Sequence, residues 1–132
     1  MSGTDQSQTS GLAPAARISN RVVQLLSSYT GRGPTKAWTS MDQDLVSVVL
    51  RDTLTKGERS LVSDGRSDLV MSMRKAYQDT MRGELVQAVE EISGRTVIAF
   101  LSDNHIDPDI AIESFVLEPR GGPERDERLP EA

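Results

Sequence analysis

The sequence predicts an α+β domain: a two-layer sandwich in which an antiparallel sheet of about four strands is covered on one face by helices, in the order α-β-β-α-α-β-β. Two observations carry this prediction. Stretches whose apolar residues recur every three or four positions flank two pairs of short segments rich in β-branched and aromatic residues. Within each pair the connection is short and polar, which favours antiparallel neighbours.

The folded part is expected to be one domain over residues 16–119. Residues 1–15 are mostly Ser, Thr, Gly, Gln and Ala, and residues 120–132 are a mixed-charge run with almost nothing apolar. Such segments bury too little apolar surface to offset the entropy of ordering the chain. We therefore expect a disordered tail at each end.

The first predicted helix has five apolar residues on one stripe, namely Ile18, Val22, Leu25, Leu26 and Tyr29. Gly31 is expected to end this helix. The segment Gly31-Arg32-Gly33-Pro34 should form a loop, because its glycines permit positive φ and a proline disfavours helical geometry at the residue before it.

Two hairpins are predicted from runs of strand-forming residues. The first joins residues 35–40 to residues 45–50, with residues 41–44 as its polar turn. The second joins residues 95–102 to residues 110–117, with the polar residues 102–109 as its turn.

Two helices are predicted between the hairpins. Thr55-Lys56-Gly57-Glu58 has capping-box spacing, so a short helix should start there and end near residues 63–65. A longer helix from about Ser67 to Ser93 carries the apolar seam Val70, Met73, Tyr77, Met81, Leu85, Val89 and Ile92. Gly83 lies inside it at a cost of about 0.5–1 kcal/mol relative to Ala, which a close contact there would justify.

Composition excludes several classes of protein. The chain has 132 residues, 15 Lys and Arg, 20 Asp and Glu and a net charge of −5, which argues against coating nucleic acid or an anionic membrane. With no Cys, it has no thiolate nucleophile, disulfide or Cys-ligated metal. Its longest apolar runs fall far short of the roughly 20 residues of a membrane span. We therefore expect a cytoplasmic protein without membrane insertion.

The glycine-rich loop is the first candidate site. Its backbone N–H groups could cradle an anion while Arg32 supplies positive charge, with Arg95 as a possible second cation. However, the loop follows a helix and leads into a strand, the reverse of the order that places phosphate at a helix N-terminus. The alternative interpretation is a structural cap and turn.

The polar turn of residues 102–109 is the second candidate site, since it contains three Asp and the chain's single histidine, His105. An EF-hand loop is excluded, because Pro108 stands at its glycine position and Ser114 at that of its bidentate Glu. A hairpin turn is the favoured interpretation, and weak binding of a divalent ion is the alternative. His105 could act as a general base, but no serine lies in a Gly-x-Ser-x-Gly elbow.

We assign no catalytic residue, no cofactor and no metal ligand from the sequence. The residues kept as candidate contacts with a ligand or partner are Gly31, Arg32, Gly33, Pro34, Arg95, Asp103 and His105.

Several short pieces, taken together and in order, resemble the MpsC-like family over essentially all of residues 16–119. They are Tyr29-Thr30-Gly31-Arg32-Gly33-Pro34-Thr35, then Leu50-Arg51-Asp52-Thr53-Leu54-Thr55 with Glu58-Arg59 and Leu61, then Glu90 with Gly94-Arg95 and Val97, and finally Phe115 with Leu117-Glu118-Pro119. This family of small bacterial proteins is named for the C component of a Na+-translocating, membrane-potential-generating system. The resemblance implies membrane-transport subunits as partners and supplies no catalytic residue.

The leading functional hypothesis is therefore a non-enzymatic, cytoplasmic accessory or regulatory domain that acts through protein contacts. A homodimer is possible, because a long helix on a small sheet can leave apolar surface unburied. One alternative is a small-ligand or anion sensor that uses residues 31–35. Another is a weak nucleic-acid-binding module on the sheet, which the charge and the scarcity of aromatic residues disfavour.

Overall fold

Three helices and one four-stranded antiparallel sheet make up residues 13–120, the part of the chain that the computed structural model describes. The elements are α1 (Pro14–Thr30), β1 (Lys36–Asp42), β2 (Leu45–Arg51), α2 (Lys56–Ser63), α3 (Ser67–Ser93), β3 (Val97–His105) and β4 (Ile110–Leu117). The strand order is β1-β2-β4-β3, so β1 and β3 are the edges. The predicted fold class and element order are confirmed. Within the described residues, no helix combines the length and apolar character needed to cross a bilayer.

The hydrophobic core lies between one face of the sheet and helices α1 and α3. Alternate residues of the two central strands point toward the helices and are fully buried, because side chains alternate between the faces of a sheet. The core cluster includes Val46, Val48, Leu50, Ala111, Phe115 and Leu117 from the sheet, Ile18 and Val22 from α1, and Met81, Leu85 and Val89 from α3.

The ends of the helices are set by local backbone chemistry. Gly31 and Gly94 follow α1 and α3 with φ of 78° and 70°, a left-handed conformation that favours glycine. Thr55 accepts from the backbone N–H of Glu58, whose side chain accepts from that of Thr55, which confirms the capping box. Helix α1 begins at Pro14, two residues before the predicted domain boundary, because proline is well tolerated in the first helical turn. The rest of the predicted tails lies outside the described residues.

The seam of α3 differs from the prediction at its centre. Tyr77 is 41% exposed, whereas the neighbouring Gln78 is buried against the sheet. Hydrogen bonds to polar residues of β3 and β4 compensate the burial of this amide. No close contact justifies Gly83, since a Cβ built there would meet no atom of the described residues within 4 Å.

Both hairpins have longer strands and tighter turns than predicted. In the first, β1 continues to Asp42 and the turn is Gln43-Asp44, with Gln43 at φ 54°. In the second, β3 continues to His105, so only residues 106–109 form the turn. The prediction that Asp103 and His105 lie in a loop is therefore wrong, because both pair with β4 in the sheet ladder.

Candidate functional site

Polar side chains from several segments meet where β2 ends. We call this cluster the polar junction, and define it by Arg32, Asp52, Thr53, Glu58, Arg74, Asn104 and Asp109. It joins the loop after α1, the connection from β2 to α2, helix α3 and the second hairpin, so it links segments far apart in sequence.

Asp52 is the centre of the outer half of the polar junction. It has φ 59°, and its carboxylate accepts from Arg32 Nη2 at 2.9 Å, from Thr35 Oγ1 at 3.0 Å and from Arg59. Arg32 Nη1 also donates to the carbonyls of Asp52 and Leu54. The hydrogen bond from Arg32, helped by that from Thr35, lowers the pKa of Asp52. The charge of Arg32 is therefore matched within the fold.

The glycines of the same loop have backbone and packing roles. Gly31 takes the left-handed conformation that ends α1. A Cβ on Gly33 would lie 3.3 Å from Cγ1 of Val23 and 3.4 Å from Cβ of Ser27, so a side chain there would crowd α1. Together with the contacts of Arg32, these features favour the cap-and-turn interpretation of the loop.

The inner half of the polar junction is built around Arg74 of α3. Its Nη1 donates to Glu58 Oε1 at 3.0 Å, its Nη2 to Thr53 Oγ1 at 2.8 Å, and its Nε to Asn104 Oδ1 at 3.0 Å. Asp109 accepts from the hydroxyl of Thr53 and the N–H of Leu54. The side chains of Arg74 and Glu58 are only 12% and 6% exposed. Because its donors and acceptors are matched internally, this cluster acts as a clamp between segments.

A buried carboxyl group lies next to the polar junction, on β4. Glu113 accepts from Ser102 Oγ at 2.8 Å and from Gln78 Nε2 at 3.4 Å, both on Oε1, while Oε2 has no partner within the described residues. Burial raises the pKa of Glu113 to about 7, against smaller opposing effects of Ser102 and Arg74. A carboxyl group in this setting changes its protonation near neutral pH.

Arg95 lies at the other end of the sheet from Arg32. Its Nη2 donates to Asp44 Oδ1 at 2.6 Å and to the carbonyl of Glu118 at 2.8 Å, and its Nη1 to the carbonyl of Gln43 at 2.9 Å. Asp44 precedes β2 and Asp52 follows it, so these two partners are roughly 26 Å apart along the strand. The structure therefore does not bring Arg32 and Arg95 to one small ligand.

The two candidate residues of the second hairpin also lie apart from the glycine-rich loop. Asp103 pairs with Ile112 and His105 with Ile110, and both occupy the face of the sheet opposite α1 and α3. His105 Nδ1 is 2.8 Å from the carbonyl oxygen of Pro108, a contact within the turn. In residues 13–120, no three or more His, Asp or Glu side chains are grouped so as to hold a metal ion.

The sheet face opposite α1 and α3, here called the open face, carries large apolar side chains that no described element covers. Its registers place the residues in rows across the strands. One row is large and mainly apolar, whereas the next contains three serines. The first row is Trp38, Val49, Ile112 and Asp103, and the second is Ser40, Ser47, Ser114 and Leu101. Trp38, Ile112 and Leu101 are 48%, 40% and 58% exposed.

Charges of opposite sign mark the two ends of the open face. Lys36 and Arg51 pair with each other in one terminal row, and the Arg51 guanidinium lies 5.8 Å from the centroid of the Trp38 ring. Asp42 pairs with Leu45 in the other terminal row, followed by Val116 on β4. An apolar surface rimmed by polar residues is typical of a protein-contact site.

Sequence reasoning missed the inward-facing polar residues. Glu113 could have been found from strand alternation, since it shares the parity of Ala111, Phe115 and Leu117. Arg74 and Gln78 have helical spacing with Met81 but are polar, so a hydrophobic pattern does not select them. The open face had a signal too, because Trp38 shares the parity of the polar residues Lys36, Ser40 and Asp42 in β1.

The comparisons with known proteins give one match. Residues 13–119 match the profile of a family described as the Na+-translocating membrane potential-generating system (MpsC). Neither the curated proteins nor the solved structures gave a match.

Proposed function

Because the chain belongs to the MpsC family of the Na+-translocating membrane potential-generating system, we propose that it is a non-enzymatic, cytoplasmic accessory domain of such a system that works through protein contacts. The observation that carries this proposal is the open face. It presents Trp38, Leu45, Leu101 and Ile112 to solvent on a four-stranded sheet. Large exposed apolar patches are uncommon on monomers and usually mark interaction surfaces.

The internal hydrogen bonds of the polar side chains support a function through protein binding rather than catalysis. In the polar junction, Arg32 and Arg74 are occupied by internal carboxylates and carbonyls. His105 is engaged by its own turn. Arg32, Arg74 and His105 therefore help to hold the domain together. The open face is then the most distinctive external surface of the described residues.

The occupant we propose for the open face is a second copy of the chain, because the face is complementary to itself. Consider a two-fold axis that lies between two stacked sheets and runs perpendicular to the strands. It places the row containing Trp38, Val49 and Ile112 over the serine row of the second copy, so that large side chains meet small ones. The same operation brings Lys36 opposite Asp42 of the second copy.

A two-fold axis parallel to the strands would be unfavourable by comparison. It would stack each row on its own counterpart with the strand order reversed, so that Val49 would face Ile112 and Ser47 would face Ser114 of the second copy. The terminal row that contains Lys36 and Arg51 would then face the same row of the second copy, which gathers the positive charges of both copies at one end of the interface. Charge and shape therefore both favour the axis perpendicular to the strands. The strands of the two copies would run within about 30° of each other, as is usual for stacked sheets.

Sedimentation equilibrium tests the self-association. We expect the wild-type chain to show a concentration-dependent dimer, and Trp38→Ser to remain monomeric because it removes the largest apolar side chain of the open face. Leu69→Ser is the matched control, since Leu69 is 45% exposed on α3, away from this face. The proposal of a second copy is wrong if the wild type stays monomeric, or if Leu69→Ser dissociates the dimer as fully as Trp38→Ser.

Affinity purification from detergent-solubilised membranes tests the link to the membrane system. Tagged wild-type chain is expected to recover membrane subunits of the Na+-translocating system, identified by mass spectrometry. The monomeric Trp38→Ser variant shows whether the dimer is the binding form. Recovery of no such subunit under conditions that preserve the system would contradict the accessory role and leave the dimer to be judged by sedimentation.

A further inference from the structure

A groove of about 460 Å³ runs between α1 and the start of β1, away from the open face. Arg17, Asn20, Arg21 and Gln24 line it from α1, where spacings of three and four residues place them on one side of the helix. Thr35 lines its other wall, and Val23, Ala37 and Ile92 add apolar surface. The volume falls in the range typical of small-molecule sites, roughly 300–1,000 Å³.

The electrostatic character of this groove is opposite to that of the whole chain. Among residues 13–120, two arginines line it and no Asp or Glu does, although the chain carries a net charge of −5. Its neutral polar groups include the amides of Asn20 and Gln24, which can donate hydrogen bonds. A concave surface lined by donors without a carboxylate is suited to an anion.

Arg17 is the unsatisfied group in the groove. Its Nε is buried and has no hydrogen-bond partner, and the described residues give its guanidinium no ion pair. Leaving a buried donor unmatched is costly. Arg17 as a whole is half-buried and lines the groove, so its guanidinium is available to a ligand there. This distinguishes Arg17 from Arg32, whose guanidinium is matched by Asp52 and two carbonyls.

Arg21 is held only weakly by the protein. Its Nη2 lies 3.7 Å from Glu91 Oε1, and both side chains are about half exposed, at 47% and 53%. Exposed pairs of this kind contribute roughly 0–1 kcal/mol, so a ligand can replace Glu91 at little cost. Arg17 and Arg21 are one helical turn apart, which allows two guanidinium groups to share one anionic group.

We propose that this groove binds a phosphate-bearing small molecule, with the phosphate held by Arg17 and Arg21. The doubly charged phosphate matches two guanidinium groups, each of which can donate two parallel hydrogen bonds to its oxygens. The volume exceeds what an inorganic phosphate alone would fill, and the apolar surface of Val23 and Ile92 can contact the organic part. The site is distinct from the open face, so its occupancy and the self-association can be tested separately.

Isothermal titration calorimetry on the full chain tests the site with AMP, inorganic phosphate, citrate and adenosine as probes. We expect AMP to bind more tightly than inorganic phosphate, and adenosine to bind far more weakly. Citrate binding as tightly as AMP would contradict phosphate recognition. The proposal is also wrong if neither AMP nor phosphate binds the wild type at millimolar concentration.

Four variants assign any binding to the groove. Arg17→Ala should weaken AMP binding about tenfold or more, and Arg21→Ala several-fold, because charge-assisted hydrogen bonds are lost. Glu91→Gln should strengthen it, since the carboxylate that competes for Arg21 is removed. Arg66→Ala is the matched control, because Arg66 forms an exposed pair with Asp64 outside the groove. An equal loss in Arg66→Ala and Arg17→Ala, or weaker binding in Glu91→Gln, would overturn the assignment.

Discussion

Glu58 and Arg74 form an ion pair with 3.0 Å between Oε1 and Nη1, and both side chains are nearly inaccessible to solvent. Glu58 also closes the capping box of α2, while Arg74 lies on α3 and contacts β3 through Asn104. One buried pair therefore sets the position of the short helix relative to the long helix and the sheet.

Breaking this pair should be strongly destabilising. We expect Arg74→Met to lower the free energy of unfolding by about 3 kcal/mol, because it leaves the Glu58 carboxylate buried without its cation. Combining it with Glu58→Leu should cost less than the sum of the two single changes. Urea unfolding of the four proteins in a double-mutant cycle measures this coupling, and strictly additive effects would contradict it.

The stability of the domain should depend on pH through Glu113. Its pKa is raised by burial to about 7 in the folded state, so folding favours the protonated form. The resulting stabilisation is fully present below a pH of about 4.5 and is lost as the pH rises through about 7. Between pH 5 and 8 the wild type should lose about 2–3 kcal/mol of unfolding free energy through this group.

Substitution isolates that pH dependence. Glu113→Gln should remove most of the loss between pH 5 and 8, because a neutral amide does not titrate. Glu91→Gln, which changes an exposed carboxylate on α3, should leave the slope of the wild type unchanged. A Glu113→Gln protein with the full wild-type slope would assign the pH dependence to another group.

Gly83 offers a stabilising substitution. It lies in the exposed middle of α3, and a Cβ at this position would have no atom of residues 13–120 within 4 Å, so Ala should fit without strain. Gly83→Ala is expected to raise the free energy of unfolding by about 0.5–1 kcal/mol in urea denaturation. Gly94→Ala is the control and should destabilise, because Gly94 has φ 70°. A loss of stability in Gly83→Ala would contradict this prediction, because the packing around Gly83 leaves room for a methyl group.

The planar shape of the Arg32 guanidinium should contribute more to the stability of the domain than its charge does. Arg32→Lys keeps the charge but loses the fork that joins Asp52 to the carbonyl of Leu54. We expect it to lower the unfolding free energy by about 1–2 kcal/mol. Arg66→Lys, at an exposed pair, should have a much smaller effect. Equal effects of the two changes in thermal and urea unfolding would contradict the clamp role of Arg32.

Local signals in the sequence predict most of the fold. Gly31, the capping box at Thr55 and the long apolar seam of α3 each depend on residues within one or two turns, so their consequences can be inferred without the tertiary structure. The first hairpin turn is tighter than predicted because Gln43 adopts a positive φ. Gly or Asn would have indicated such a turn in the sequence, whereas Gln does not.

The candidate sites are harder to predict because they depend on contacts between distant segments. Arg32 and Arg95 look alike in the sequence, but each is bound to a different end of β2. The open face and the groove beside Arg17 emerge only when strand register and helix packing are known. Polar residues that point inward, such as Gln78, escape a search for apolar periodicity.

The central claim, that two copies meet through their open faces, is tested most directly by exchanging the charges of Lys36 and Asp42. In sedimentation equilibrium, Lys36→Asp and Asp42→Lys should each weaken the dimer, because each brings like charges together across the interface. The double variant should restore association close to that of the wild type. Failure of the double variant to recover, with both single variants weakened, would contradict the proposed two-fold arrangement.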